Sequence, residues 1–431
     1  MRRQDYIPRD SAIVEEIARQ RTKTLSANAL FLLAAFPYVS PINFGFDTQP
    51  YALLFSFLIA LHVFTGKSVP KIPGVFVGLS LILLYATTLF VLSTDKQTAA
   101  RSLAGYATLF LVTFASFWSV KDVIMKCFNS AVYVWLAVAV VQLMSNKLFG
   151  SFLVPRMSTS AARGVTSLAV EPSYYAVVCV FLLVLNDLFQ SVGKQTDRKH
   201  ALIMAILIFQ TLLNFSGTGF LLLFVYLLGR LLANAVSQGS VAHLLVPLLL
   251  GAVVLVSFRT IDVLAQSRAG RILQAATMDP MSLVLSDASI SDRLTHSLIP
   301  MFSLPYSKGI GLGLGTWSTY APEISRSAGG VVERIAQYTI SDTNSIRIMS
   351  GWGTAVFELG VFGILLIVLF VRSFLTRSSR ARELSPVFIS SGFTTLMVMF
   401  TAVPLAFPLF AYVFGLFLYY GRAQNVDSRA T

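Results

Sequence analysis

Apolar runs of membrane-crossing length follow one another along almost the whole chain, separated by short polar junctions. Lipid offers the backbone no hydrogen bonds, so only helices or closed barrels cross it. A crossing helix takes about 20 mostly apolar residues. The runs here show no alternation of polar and apolar residues, which selects helix. Charged residues make up 12% of the chain, against roughly 25% in soluble domains. The mean hydropathy is +0.72. The expected fold class is an all-α polytopic integral membrane protein with about twelve transmembrane helices. The runs fall near 25–44, 50–66, 72–93, 102–119, 124–144, 172–190, 200–215, 217–235, 242–258, 351–371, 385–402 and 404–421.

The net charge is +13, yet no basic patch interleaved with aromatics appears, so nucleic acid is excluded as a partner. Lys and Arg flank the apolar runs and concentrate at alternate junctions, for instance Lys67 and Lys71, Lys121 and Lys126, and Arg372, Arg377, Arg380 and Arg382. By the positive-inside rule those junctions and both termini are cytoplasmic. The expected division is a cytoplasmic segment 1–24, helices one to five in 25–144, an outward loop 145–171, and helices six to nine in 172–258. A large, partly helical outward loop 259–350 follows, then helices ten to twelve in 351–421 and a cytoplasmic tail 422–431. The polar opening stretch carries no cleavable signal peptide, so the first run acts as its own insertion signal.

The most informative motif is RGVTSLAVEPSYYA, Arg163 to Ala176, directly ahead of the sixth run. Proline suits the first turn of a helix and drives its predecessor out of α geometry. Glu171 therefore belongs just outside a helix mouth, against the positive end of the dipole. With Arg163 nearby, that places a candidate base and an anion-binding cation at one water–lipid boundary. The run 200–215 is too short for the roughly 30 Å hydrocarbon core. The turn NFSGTGF after it should therefore lie below the surface, with Asn214, Ser216 and Thr218 flooring a cavity; a tight Gly-rich hairpin without ligand fits equally well.

Segment 259–350 is too polar to span and too long to be a passive connection. Within it Arg268 and Arg271 share a helix face, Ser291 and Asp292 read as helix caps, and Arg293 and His296 stack on one helix side. GIGLGLGTW, Gly309 to Trp317, offers close backbone approach. GVVERIAQYTI reads as helix, and SDTNSIR brings Asn344 and Arg347 to the loop's end. Among four histidines only His296 has a polar, outward context; His62, His200 and His243 read as structural or interfacial. Glu358 falls inside the tenth run, where a carboxylate is costly and is retained for function or for a structural partner. Cys127 and Cys179 lack metal-ligand spacing and read as apolar fillers. No P-loop, HExxH or nucleophile elbow occurs, so catalysis is expected without metal or cofactor.

In order along the chain, RGVTSLAVEPSYYA, FSGTGF, SDRLTHSLIPMFSLPYSKGIGLG and DTNSIR followed by FELGVFG resemble the bacterial O-antigen and exopolysaccharide polymerase family, related to the O-antigen ligases. The resemblance implies a multi-pass protein of the bacterial inner membrane with periplasmic loops. It implies inverting glycosyl transfer between undecaprenyl-pyrophosphate-linked oligosaccharides, donor and acceptor, with a chain-length regulator and a flippase as partners. By that analogy Arg163, Arg293 and Arg347 bind pyrophosphate, with Asn344, Ser216 and Thr218 beside them. Glu171 or His296 serves as general base. A ligase-type transferase, or a polysaccharide or lipid transporter, are the competing readings. Ligases of this kind show a His-Asn pair where Thr343 and Asn344 stand here.

Overall fold

The computed structural model describes residues 23–40, 42, 48–65, 72–119, 123–145, 148–158, 164–238, 272, 274–275, 278–286, 288–341, 348–378, 385–401 and 403–427. All regular structure among them is helical. The first eight helices are α1 (Lys23–Ala35), α2 (Tyr51–Phe64), α3 (Gly74–Leu92), α4 (Lys96–Ser119), α5 (Met125–Met144), α6 (Pro172–Ser191), α7 (Asp197–Leu213) and α8 (Gly217–Gln238). The later ones are α9 (Pro280–Ser286), α10 (Ala288–Tyr306), α11 (Trp317–Ala328), α12 (Gly330–Ser341), α13 (Gly351–Leu359), α14 (Val361–Ser378), α15 (Ser385–Thr401) and α16 (Pro408–Asp427). Among the described residues five helices are long and apolar enough to cross a membrane: α3, α4, α5, α6 and most of α8. The expected run 242–258 lies outside the described residues.

α3 and α6 are both predominantly apolar, yet they sit in opposite surroundings. α6 is buried along nearly its whole length, from Tyr175 to Phe189, and packs against α7, α8, α15 and α16. α3 turns Leu81, Leu84 and Val91 outward, each more than half exposed. A helix apolar all round is a core helix or a lipid-facing one; α6 is the first kind and α3 the second. At the far end of α6 from Glu171, Asp187 gathers three partners. Tyr226 Oη donates to it at 2.8 Å, His200 Nε2 lies at 2.9 Å and Arg230 Nη1 at 3.4 Å, tying α6 to α7 and α8. α4 crosses α16 closely because Gly415 stands against Ser116 and the Thr113 carbonyl, with no room for a side chain.

Three expected helix boundaries change. The run 25–44 is helical only to Ala35, because Phe36 precedes Pro37 and proline disfavours α geometry before it. The run 102–119 begins earlier, at Lys96. Asp95 caps it, its carboxylate accepting from the Gln97 and Thr98 N–H groups at 3.0 and 3.2 Å. The run 351–371 is not one helix. The chain reverses at Gly360: a side chain at Gly363 would strike the Ala355 backbone, and the Trp352 and Phe370 rings meet at 5.2 Å. On one straight helix those pairs would stand about 12 and 27 Å apart. α13 and α14 are therefore an antiparallel hairpin. Ser291 and Asp292, expected as caps, lie inside α10, and the Ser291 hydroxyl donates to the Ile335 carbonyl of α12 at 2.7 Å.

Gly360 makes the reversal possible. Its φ of +59° is in the left-handed region, and an added Cβ would strike the Gly309 carbonyl oxygen, which accepts from the Val361 N–H at 2.8 Å. Gly360→Ala is expected to lower stability by about 1–3 kcal/mol. Thermal unfolding in detergent is the measurement, and an unchanged midpoint would refute the account of this turn.

Candidate functional site

Glu171 stands where its sequence context places it. It is the N-cap of α6 with extended backbone, φ −141° and ψ 160°, and Pro172 occupies the first helical turn. The Glu171 carbonyl accepts from the Tyr174 and Tyr175 N–H groups at 3.1 and 3.2 Å. The segment leading to it is held by one buried side chain, Gln142 of α5. Its Oε1 accepts from the Ser167 and Thr166 N–H groups at 2.7 and 3.1 Å, while its Nε2 donates to the Ser167 and Phe149 carbonyls at 2.9 and 2.7 Å. Ser167 takes a positive φ of 51° and donates its hydroxyl to the Trp135 carbonyl at 2.7 Å. One turn into α6, Tyr175 Oη donates to Gln210 Oε1 of α7 at 2.9 Å. A buried amide satisfied on both ends fixes a loop as firmly as a strand pairing would.

This segment lies over the NFSGTGF turn. The Val165 N–H donates to the Leu213 carbonyl at 3.4 Å, and Gly164 has backbone of Asn214 where a side chain would be. Asn214 is fully buried and its Oδ1 accepts from the Ser216 N–H at 3.0 Å. Ser216 and Thr218 remain half-exposed. The structure thus lays the segment that leads to Glu171 against the start of the turn that carries Ser216 and Thr218. Arg163, Asn344 and Arg347 lie outside the described residues, as do His243, Arg268 and Arg271.

Arg293 and His296 lie on α10. α10 packs against α12, α13 and α15. Arg293 Nη1 donates to the Thr401 carbonyl at 3.3 Å, at the C-terminal end of α15, where orphan carbonyls and the negative dipole end favour a cation. His296 is not in the polar context expected from its neighbours in sequence. It is 1% exposed, and its ring meets Trp317 edge-on at 5.2 Å. Burial first, and the Arg293 cation second, push its pKa down to about 4. An imidazole that stays neutral and enclosed is poorly suited to collect a proton from a substrate.

The glycine-rich stretch folds against the hairpin tip. Gly309, Gly311, Gly313 and Gly315 all have positive φ. The Leu312 and Gly313 N–H groups donate to the Phe357 and Glu358 carbonyls at 2.9 and 3.2 Å, and the Gly311 N–H donates to Ser307 Oγ at 3.2 Å. Its amides are therefore committed to the protein and do not form an anion nest. The Glu358 carboxylate is held by three donors: Ser102 Oγ, Tyr106 Oη at 2.9 Å and the Gly315 N–H at 2.8 Å. Beside it opens a cavity of about 110 Å³ between α2, α4, the glycine stretch and the bend before α16. Arg101, Thr98, Thr108, Gln49, Thr354 and Trp317 are among its lining residues.

Sequence reasoning singled out Glu358 without its partners and passed over Arg101 altogether. The signal was present: Thr98, Arg101, Ser102, Gly105 and Thr108 recur at helical spacing, a polar and small stripe on one face of α4. Starting the fourth run at residue 102 left Thr98 and Arg101 off that helix. No protein-family model matches this chain, and no curated protein matches its sequence.

Two outcomes test these placements. Glu358→Ala strands three donors, one of them the buried Tyr106 hydroxyl, and is expected to cost about 3 kcal/mol or more, with Glu358→Gln milder. Equal unfolding midpoints for wild type and the alanine variant would contradict the bonding. For His296 the folded pKa of about 4 lies below the unfolded value near 6.5. Between those values the unfolded chain binds a proton that the folded chain refuses, so stability is complete above pH 6.5 and falls as pH drops toward 4. The loss is on the order of 2–3 kcal/mol, and His296→Leu removes that part of the pH slope in thermal melts.

Proposed function

We propose that the chain is a polysaccharide polymerase of the bacterial inner membrane, joining undecaprenyl-pyrophosphate-linked repeat units at the periplasmic face by metal-independent inverting transfer. The observation that carries this reading is the fixed helix mouth: Glu171 is the N-cap of α6, at the end of a loop that Gln142 clamps and that rests on the turn at Leu213 and Asn214. The resemblance in the motifs around these residues points to the same chemistry. In this reading the bundle has about twelve spans with both termini cytoplasmic, and the segments 145–171 and 259–350 face the periplasm. The α13–α14 hairpin stands in place of a tenth straight span.

The donor already carries a good leaving group, a pyrophosphate ester. The protein's tasks are to stabilise charge on that group and to take a proton from the acceptor hydroxyl. Guanidinium groups suit the first task by bidentate pairing, and the proposal assigns it to Arg163 and Arg347. Arg293 is better placed to anchor α10 on α15. Glu171 takes the acceptor proton. Its place as the N-cap, directly ahead of Pro172, sets that carboxyl at the mouth of α6 rather than along the helix.

The test is a lipid-linked glycan profile of a deletion strain. Accumulated single repeat units are expected, restored to long chains by the wild-type gene; full-length but unattached polymer would favour a ligase instead. Glu171→Gln is expected to cut polymer by roughly a hundredfold or more at unchanged protein level. Retained chain length in that variant would end the assignment of Glu171.

A further inference from the structure

We infer that the cavity beside Glu358 is an oxyanion-binding site, with Arg101 as its ligand-holding group, distinct from the Glu171 mouth. Among the hydroxyl and amide side chains that line the cavity, each has a donor committed within the protein. The Thr48 hydroxyl donates to the Ala406 carbonyl at 3.1 Å, Thr98 to Asp95, Thr108 to the Ala104 carbonyl at 2.7 Å and Thr354 to the Ser350 carbonyl at 2.8 Å. Gln49 donates to the Leu33 carbonyl at 2.8 Å and accepts from the Tyr51 N–H. Ser102 donates to Glu358. Arg101 differs: among the described residues its guanidinium makes no hydrogen bond or ion pair. Its five N–H donors, with the Trp317 indole N–H, are the uncommitted side-chain donors among the described lining residues.

The two carboxylates nearby do not cancel that capacity. Glu358, at the buried end, is saturated by three donors. Asp95 is exposed beside Thr98 and accepts from the Gln97 and Thr98 N–H groups and the Thr98 hydroxyl. Hydrogen bonds from Thr98 first, and the Arg101 cation last, hold its pKa below the ordinary carboxylate value. The volume of about 110 Å³ equals roughly four water volumes, enough for one tetrahedral phosphate group. The remaining threonine oxygens can each accept one more bond from its hydroxyl or from an accompanying water. A site with one free fork of donors and otherwise committed hydroxyls suits a phosphate, whether carried by a lipid headgroup or free in solution.

The site does not depend on the glycan reading, and its test uses no glycan. Wild-type protein in nanodiscs of phosphatidylcholine is titrated with inorganic phosphate, and the fluorescence of Trp317 at the cavity wall is followed beside the thermal midpoint. A saturable response is expected, weakened about tenfold in Arg101→Gln, the loss of a charged hydrogen bond, and partly restored in Arg101→Lys. Arg326→Gln, an exposed arginine of α11, should respond as wild type. Ala104→Leu, which fills the cavity while keeping Arg101, should lose the response and serves if Arg101→Gln does not fold. Repeating the titration with phosphatidylglycerol in the nanodiscs separates the sources: competition marks a lipid phosphate, and an unchanged titration a free one. No saturable response in wild type, or equal responses in wild type, Arg101→Gln and Ala104→Leu, would overturn the site.

Discussion

Glu358 joins three separate pieces of this chain. Its carboxylate accepts from α4 twice and from the glycine stretch once, and its own backbone carbonyl holds Gly313. A carboxylate inside an apolar bundle is stable only when its lone pairs are met. That demand draws α4, the stretch 309–315 and the α13–α14 hairpin to one point. The cavity is the space left beside that point.

The same rule, that buried polar groups must be paired, explains the loop before α6. Gln142 serves as a peptide surrogate, offering both a donor and an acceptor to a segment with no helix or strand of its own. The result is a rigid approach to Glu171, although the segment is irregular. At the other end of α6, Asp187 does the equivalent work for α7 and α8. The bundle is thus apolar in bulk and pinned at three polar knots. Each knot sits where chains of different sequence distance have to meet.

Two expectations failed for one reason. His296 has polar neighbours in sequence, and the run 351–371 is apolar throughout, so the first reads as outward and the second as a straight span. Sequence context reports the neighbours along a chain. It is blind to what packs from elsewhere: Trp317, itself packed on Phe357, meets the His296 ring, and Gly309 occupies the turn at Gly360. Arg101 went unnoticed because its value comes from lacking a partner that its neighbours possess.

Hydropathy alone sufficed for the helical, membrane-suited character of the chain, because a bilayer admits so few backbone solutions. The Glu171–Pro172 helix start was likewise legible, since it follows from proline's local geometry. Which apolar helix lies at the centre and which faces outward was not legible from hydropathy, because α3 and α6 are both predominantly apolar and their burial is decided by what surrounds them. Nor was the pairing of Glu358 with Ser102 and Tyr106, some 250 residues away, since hydrogen bonds of that span are set by packing rather than by any local pattern.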